Sequence, residues 1–191
     1  MFVRTERLLL RPGWIEDAPA LYRAICDERI VRNLANAPWP YRREDAESFL
    51  MRERSAAEPS MLIFLSTGGA PELIGGIGFA RRPEGATEFG YWLNAGHWGR
   101  GYATEAGRAV LAAARDSLRL RRVEAGHFLD NPASGRVLEK LGFRPTGAIV
   151  PRWSAGRGEI AATRELVLDL ADCDGDGDTS AEPPAFETMA A

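Results

Sequence analysis

Apolar and polar positions along this chain fall into short β-like runs separated by stretches of helical repeat. The run 6–12 carries Leu8, Leu9 and Leu10 and ends at Pro12, which predicts a first strand closed by proline. Asp17-Ala18-Pro19 then opens a helix with Asp17 as N-cap, and Leu21, Ile25 and Val31 supply its apolar face. Ala37-Pro38-Trp39-Pro40-Tyr41 reads as a rigid aromatic loop, and a second helix runs from Glu44 through Phe49, Leu50 and Met51 to near Ala57. Residues 61–66 form a near-continuous apolar strand, 67–72 a turn, 73–80 the next strand, and 87–93 the strand after a Pro83-Glu84-Gly85 turn. These three predict an antiparallel meander, with Gly90 marking a bulge or a close backbone approach.

Beyond Asn94-Ala95-Gly96-His97 the period changes. Ala103, Ala106, Val110, Ala113 and Ala114 recur at helical spacing through a long run that ends near Ser117. Residues 122–129 predict a strand. Asp130-Asn131-Pro132-Ala133-Ser134 turns into a helix that reaches Lys140-Leu141 and stops at Gly142. Phe143 opens the last β-region, with final strands at 148–150 and 164–170.

The charge changes this picture at one place. The chain has 191 residues, 24 bases and 27 acids. Six of the acids and none of the bases lie in 171–191, so residues 1–170 carry 24 bases against 21 acids. Two parts follow: one domain over 1–170, large enough to bury a substantial core, and an acidic C-terminal tail over 171–191 expected to be disordered. Within the tail, Asp172-x-Asp174-x-Asp176-Gly177 begins like a calcium loop, but Pro183 stands where the closing Glu belongs, so no metal site is expected. His97 and His127, thirty residues apart, make none either. The mildly basic body suits an anionic cofactor and is too scattered for nucleic acid. No apolar run approaches the roughly 20 residues that span a bilayer. The charged start is unlike a secretory signal, and Cys26 and Cys173 make no disulfide framework, so a reduced, cytoplasmic protein is expected.

The candidate chemistry lies where the meander meets the long helix. Trp98-Gly99-Arg100-Gly101-Tyr102-Ala103-Thr104-Glu105 places glycines at alternate positions just ahead of that helix. Glycines there leave the first-turn N–H groups unobstructed, and those amides suit a phosphate or pyrophosphate, with Arg100 as a fixed charge beside them.

Gly99-x-Gly101-x-Ala103 after a strand resembles the acyl-coenzyme A pyrophosphate loop of the GNAT acetyltransferase superfamily. The fuller string, Gly90-Tyr91-Trp92-Leu93 followed by residues 98–106, resembles the RimJ/RimL branch, whose members also commonly begin with a segment like Thr5-Glu6-Arg7-Leu8-x-Leu10-Arg11. The superfamily loop usually opens with Gln or Arg; Trp98 stands there, which removes a side chain and leaves the amides. The resemblance covers about residues 4–170. It implies an α/β (α+β) GNAT fold, with a mixed, mostly antiparallel sheet of about seven strands, splayed central strands and about four helices. It implies acetyl-CoA as cosubstrate, held by Leu93, Trp98, Gly99, Arg100, Gly101, Tyr102, Ala103, Thr104, Asn131 and Ser134. The string Asn131-x-x-Ser134-x-x-Val137-Leu138-Glu139-Lys140-Leu141-Gly142-Phe143 is similar to the segment that binds the pantetheine arm and supplies the general acid. Many members use a Tyr seven residues after the Asn; here that position is Leu138, and the resemblance passes the role to Ser134. Read without the family, Asn131 and Ser134 are equally caps of the Pro132 helix.

The proton acceptor is open at this level. Glu88 is either a base in a partly buried groove or the ion-pair partner of an arginine. His127 is either a titrating group or a satisfied core residue; Glu105 supports the loop, and His97 is expected to be exposed. Trp39 and Tyr41 either line the acceptor site or cap the core, and Arg152, Trp153, Arg157 and Glu159 either select a charged acceptor or decorate a loop. The acceptor itself is an amine, a protein N-terminus or a small molecule, and homodimerisation is common in the family. Two rivals compete with this N-acetyltransferase. One is a non-catalytic acyl-CoA-binding module. The other is a dinucleotide enzyme, suggested by Gly99-x-Gly101-x-x-Thr104 with Glu124 downstream but lacking the third glycine.

Overall fold

A computed structural model describes residues 1–66 and 69–171. The predicted acidic tail, with Cys173 and the Asp172–Asp176 run, lies outside the described residues apart from Ala171, as do two residues of the predicted 67–72 turn. Among the described residues, no helix is long and apolar enough to cross a membrane.

The chain forms β1 (Val3–Arg4), β2 (Leu8–Pro12), α1 (Ala18–Ile25), α2 (Glu28–Val31), α3 (Arg43–Met51), β3 (Ser60–Leu65), β4 (Glu72–Arg81) and β5 (Thr87–Leu93), then α4 (Tyr102–Leu118), β6 (Arg122–Phe128), α5 (Pro132–Lys140), β7 (Arg144–Ser154) and β8 (Glu159–Asp169). One mixed eight-stranded sheet runs in the order β1-β2-β3-β4-β5-β6-β8-β7. All neighbours are antiparallel except β5 and β6. The eighth strand is the short Val3–Arg4 segment, and the fifth helix is the single turn Glu28–Val31.

Both sheet faces are covered, which explains the near-continuous apolar run of β3. Met61 and Ile63 join Phe79, Phe89, Val110, Val123, Leu138 and Leu166 in a core beneath α4 and α5. Leu62 and Phe64 join Leu21, Ile25, Val31 and Tyr41 in a second core beneath α1–α3.

Several boundaries move for physical reasons. The first predicted helix breaks at Cys26, because Asp27 accepts from the Arg29 N–H and restarts the chain as α2. Asp17 does not cap α1; its carboxylate accepts from Arg11 at 2.7 and 2.8 Å and from the Trp14 N–H at 2.8 Å. The second predicted helix stops six residues early, at Met51. Arg54 donates to the Phe49 carbonyl and stacks on the Phe49 ring, occupying the helix end. The final strands are longer than predicted and pair across an irregularity between Pro145 and Ile149, where Gly147 takes φ +89°.

The β7–β8 hairpin is docked onto the end of α2 and the segment after it. Arg157 donates to Asp130 at 2.8 Å through both terminal nitrogens and to the Arg32 carbonyl at 2.7 Å, and it stacks on Phe128. The Ala155 N–H reaches the Ala35 carbonyl, and a side chain at Gly156 would collide with the Val31 backbone. Arg157 is therefore a clamp. Trp153 lies exposed.

Candidate active site

The parallel neighbours β5 and β6 touch at one register pair, Glu88 opposite Glu124, and part beyond it. Because both strands run the same way, the helices that follow them, α4 and α5, begin at the same end of the split. Backbone groups along the parted strands are left for a guest, as at the carboxyl ends of strands in open α/β sheets.

The α4 end is built as an anion cradle. The Asn94 side chain accepts from the Gly96 N–H and donates to the Ala24 carbonyl, fixing the turn after β5. The Trp98 indole N–H donates to the Leu93 carbonyl at 2.8 Å, so the residue that replaces the usual Gln or Arg ties the loop to the strand. Gly99 and Gly101 lie at φ +75° and +81°, a region that side chains resist. No side chain caps the 17-residue α4, so its first-turn amides remain available at the positive end of the helix. An open cavity of about 750 Å³ beside it is lined by Arg7, Gly101, Thr104, Arg108 and Lys140 among others. The donor set fits a pyrophosphate.

Glu105 holds this end in place. It accepts from Thr5 Oγ1 at 2.5 Å, from the Arg7 N–H at 3.1 Å and from the Arg7 guanidinium at 2.6 and 2.7 Å. Arg7 also donates to the Arg100 carbonyl and stacks on Tyr102. Burial pushes the Glu105 carboxyl up, but the hydrogen bonds from Thr5 and Arg7 outweigh it and leave the pKa lowered. A lowered folded-state pKa gives stability that is present above the unfolded value, about 4.3, and is lost as pH falls through the folded one. Glu105→Gln is expected to melt below the wild type at neutral pH, with the gap closing below about pH 4. Thermal melts between those conditions check it.

At the α5 end, Asn131 Oδ1 accepts from the Ser134 N–H at 3.3 Å, so Asn131 does cap the helix. The Ser134 hydroxyl accepts from the Tyr91 phenol at 3.0 Å. Tyr91, on β5, crosses the split to reach it; burial pushes its pKa up to about 12, with the bond to Ser134 opposing. Leu138 is buried in the core. His127 places Nδ1 2.9 Å from the Phe128 carbonyl and packs its ring on Gly135, the arrangement of a satisfied core residue.

The two strands are pinned at the fork by charge. Arg82 donates to Glu88 at 2.9 Å, to Glu124 at 2.8 Å and to Glu165 at 3.1 Å. Arg152 donates to Glu88 at 2.6 Å and to Glu165 at 2.8 Å. Glu88 thus has the arginine partners that one of its two readings required. Next to it, Gly90 is exposed in mid-strand, and a Cβ there would meet nothing within 4 Å. Of the aromatic pair, Tyr41 is core and Trp39 is exposed. His97 departs from its expected exposure: its side chain is only 12% exposed and its Nδ1 is buried without a partner. Sequence reasoning missed Tyr91 and Arg82. Tyr91 lay within a quoted motif, but nothing there signalled its reach to Ser134.

Comparison with known proteins agrees with this geometry. Residues 7–144 match the family model described as an acetyltransferase (GNAT) domain. The chain belongs to the GNAT acetyltransferase family. An uncharacterised N-acetyltransferase, p20, from Bacillus licheniformis is 30% identical over 148 residues, covering 76% of this chain and 83% of that one. A ribosomal-protein-serine acetyltransferase from Escherichia coli (strain K12) is 39% identical over 80 residues, covering 41% of this chain and 45% of that one. The ribosomal L7/L12 acetyltransferase RimL, solved in complex with coenzyme A, superposes with a TM-score of 0.72 at 19% identity, over 88% of this chain and 98% of that one. This GNAT protein is an acyltransferase. A dinucleotide enzyme does not fit, since Glu124 is engaged by Arg82 at the start of β6.

Proposed function

We propose that this GNAT protein transfers the acetyl group of acetyl-coenzyme A to a primary amine by direct attack in a ternary complex. The observation that carries the reading is the pairing of two helix N-termini at one end of the β5–β6 split: an uncapped amide cradle on α4, and the Ser134 hydroxyl on α5. RimL's complex with coenzyme A supports the same cosubstrate here. Gly99, Arg100, Gly101, Tyr102, Ala103 and Thr104 take the pyrophosphate, with Trp98 fixing the loop. Leu93 and Asn131 face the pantetheine arm, and Ser134 protonates the departing sulfur. Glu88, already bound by two guanidiniums, keeps the fork closed, and the ammonium proton leaves through water.

Strand alternation puts Gly90 on the face opposite Tyr91. With nothing above it, that position is the floor over which the amine approaches. A protein N-terminus is one acceptor class, supported by the ribosomal-protein-serine acetyltransferase relative; a small amine is the other.

Calorimetry with acetyl-coenzyme A, followed by thiol release with a panel of N-terminal peptides and small amines, tests the reading. Saturable binding and amine-dependent thiol release support it. Binding with no release under any amine would favour a non-catalytic module, and no binding heat at all would sink both. Gly90→Val gives a further expected outcome. Valine suits a strand better than glycine and clashes with nothing, so the melting temperature holds or rises. Acetyl-coenzyme A still binds, while kcat/KM for the amine drops by about tenfold or more because the acceptor is displaced from attack geometry.

A further inference from the structure

We propose that Tyr91 is the positioning residue behind Ser134: its phenol orients the serine hydroxyl toward the departing sulfur and refills it with a proton as the thiol leaves. The proposal rests on the acetyltransferase reading and deepens it.

The geometry is specific. Tyr91 leaves β5 on the α4–α5 side, packs against Phe89 at 6.0 Å between ring centroids, and donates to Ser134 Oγ at 3.0 Å. Its second contact, at 3.4 Å, is the Ser134 carbonyl. A serine hydroxyl has one hydrogen and two acceptor positions. The phenol occupies one acceptor position, and among the described residues the serine hydrogen finds no acceptor apart from the phenol oxygen itself. That hydrogen is left to point into the split.

The acidity argues the same way. An aliphatic alcohol is a poor proton source for a thiolate, whereas a phenol titrates near 10. Burial of Tyr91 pushes it up to about 12, so it remains a protonated donor at neutral pH. The position where the family resemblance would put a phenol on α5 is Leu138, which is 2% exposed in the core. The phenol instead arrives from the facing strand and works through the serine.

The step balances. The amine nitrogen bonds to the carbonyl carbon, and on collapse the C–S bond breaks with its electron pair on sulfur. The Ser134 proton goes to that sulfur, giving the free thiol, and the Tyr91 proton goes to Ser134 Oγ. The nitrogen gives up two protons: water takes one to solvent before attack, and carries the other, shed by the tetrahedral intermediate's nitrogen, back to the phenolate.

The test compares wild type, Tyr91→Phe, Ser134→Ala and the double variant, with acetyl-coenzyme A and its selenoester analogue as donors. Hydroxylamine and the best panel amine serve as acceptors. With acetyl-coenzyme A, Tyr91→Phe is expected to lower kcat roughly tenfold to a hundredfold, leaving KM for the donor unchanged. The double variant is expected to be no slower than Ser134→Ala, as for residues acting in series. The selenol leaves without needing a proton, so the selenoester is expected to erase most of both defects. A structural role would slow both donors equally, and that result overturns the proposal. So does a fully active Tyr91→Phe beside a slow Ser134→Ala, which leaves the acetyltransferase reading standing. A fully active Ser134→Ala overturns the acid assignment and this proposal with it. No turnover of any acceptor by the wild type overturns the acetyltransferase reading itself.

Discussion

Arg82→Ala is expected to lower the stability of the protein by about 3 kcal/mol, the low end for breaking a buried charge network. For a domain of this size that is a fall of roughly 6–12 °C in melting temperature. The reason lies in what one guanidinium does. Its side chain is 9% exposed, and it bridges Glu88, Glu124 and Glu165, which are 28%, 26% and 23% exposed. Glu88 and Glu124 are direct register partners at the only place where β5 and β6 meet. Like charges facing each other across strands repel. Without Arg82 the strands would have a reason to separate at the one point that defines the width of the split. Arg152 still serves Glu88 and Glu165 but does not reach Glu124, which keeps only the exposed Arg122 at 4.0 Å.

Arg82→Lys keeps the charge and loses the fork, so its cost should fall between wild type and alanine. The pH dependence separates this account from a simple packing loss. Glu165 is held below the usual carboxylate range, first by its hydrogen bond with Arg152 and further by Arg82, with burial opposing. Its contribution is therefore present above the unfolded value and lost as pH falls through the folded one. As that contribution is lost in acid, the gap between wild type and Arg82→Ala narrows. A gap that stays constant from neutral pH down to about pH 3, well below the unfolded carboxylate value, would mean that Glu165 does not share the cost.

Much of the fold was legible because its signals are local. The β3 run buries both faces, the alanine repeat of α4 fits helical spacing, and Gly142 ends the last helix at φ +92°. The misplaced ends share a cause: a side chain from outside the element intervened. Arg54 took a carbonyl of α3, Asp27 capped a helix inside what read as one apolar face, and Arg11 drew Asp17 away from its cap. The cradle residues could be read because glycine at positive φ is a backbone requirement that shows in the sequence. The Tyr91–Ser134 bond spans 43 positions, and the fork brings together residues 82, 88, 124, 152 and 165 from separate strands and loops. No spacing rule connects such positions. Each becomes a neighbour only after the sheet order is fixed.

Gly101→Val is expected to cost acetyl-coenzyme A affinity far more than Arg100→Ala does. Gly101 is the N-cap of α4 at φ +81°, ψ 0°. A β-branched residue held there costs of order 1–3 kcal/mol in strain, or the loop abandons the conformation that presents the amides. Either way the oriented donors are lost, and with them the charge-assisted hydrogen bonds to the pyrophosphate, each worth about 1.5–3 kcal/mol. A loss of more than about a hundredfold in affinity follows. Arg100 is exposed, and an exposed charge contributes about 1 kcal/mol or less, roughly fivefold in affinity, and less still at high salt. Calorimetric titration of both variants at low and high salt makes the comparison. It needs a thermal melt of unliganded Gly101→Val to show that the body of the protein still folds. If Arg100→Ala proves the worse binder, the cosubstrate is held by surface charge, and the amides of α4 are only the end of a helix.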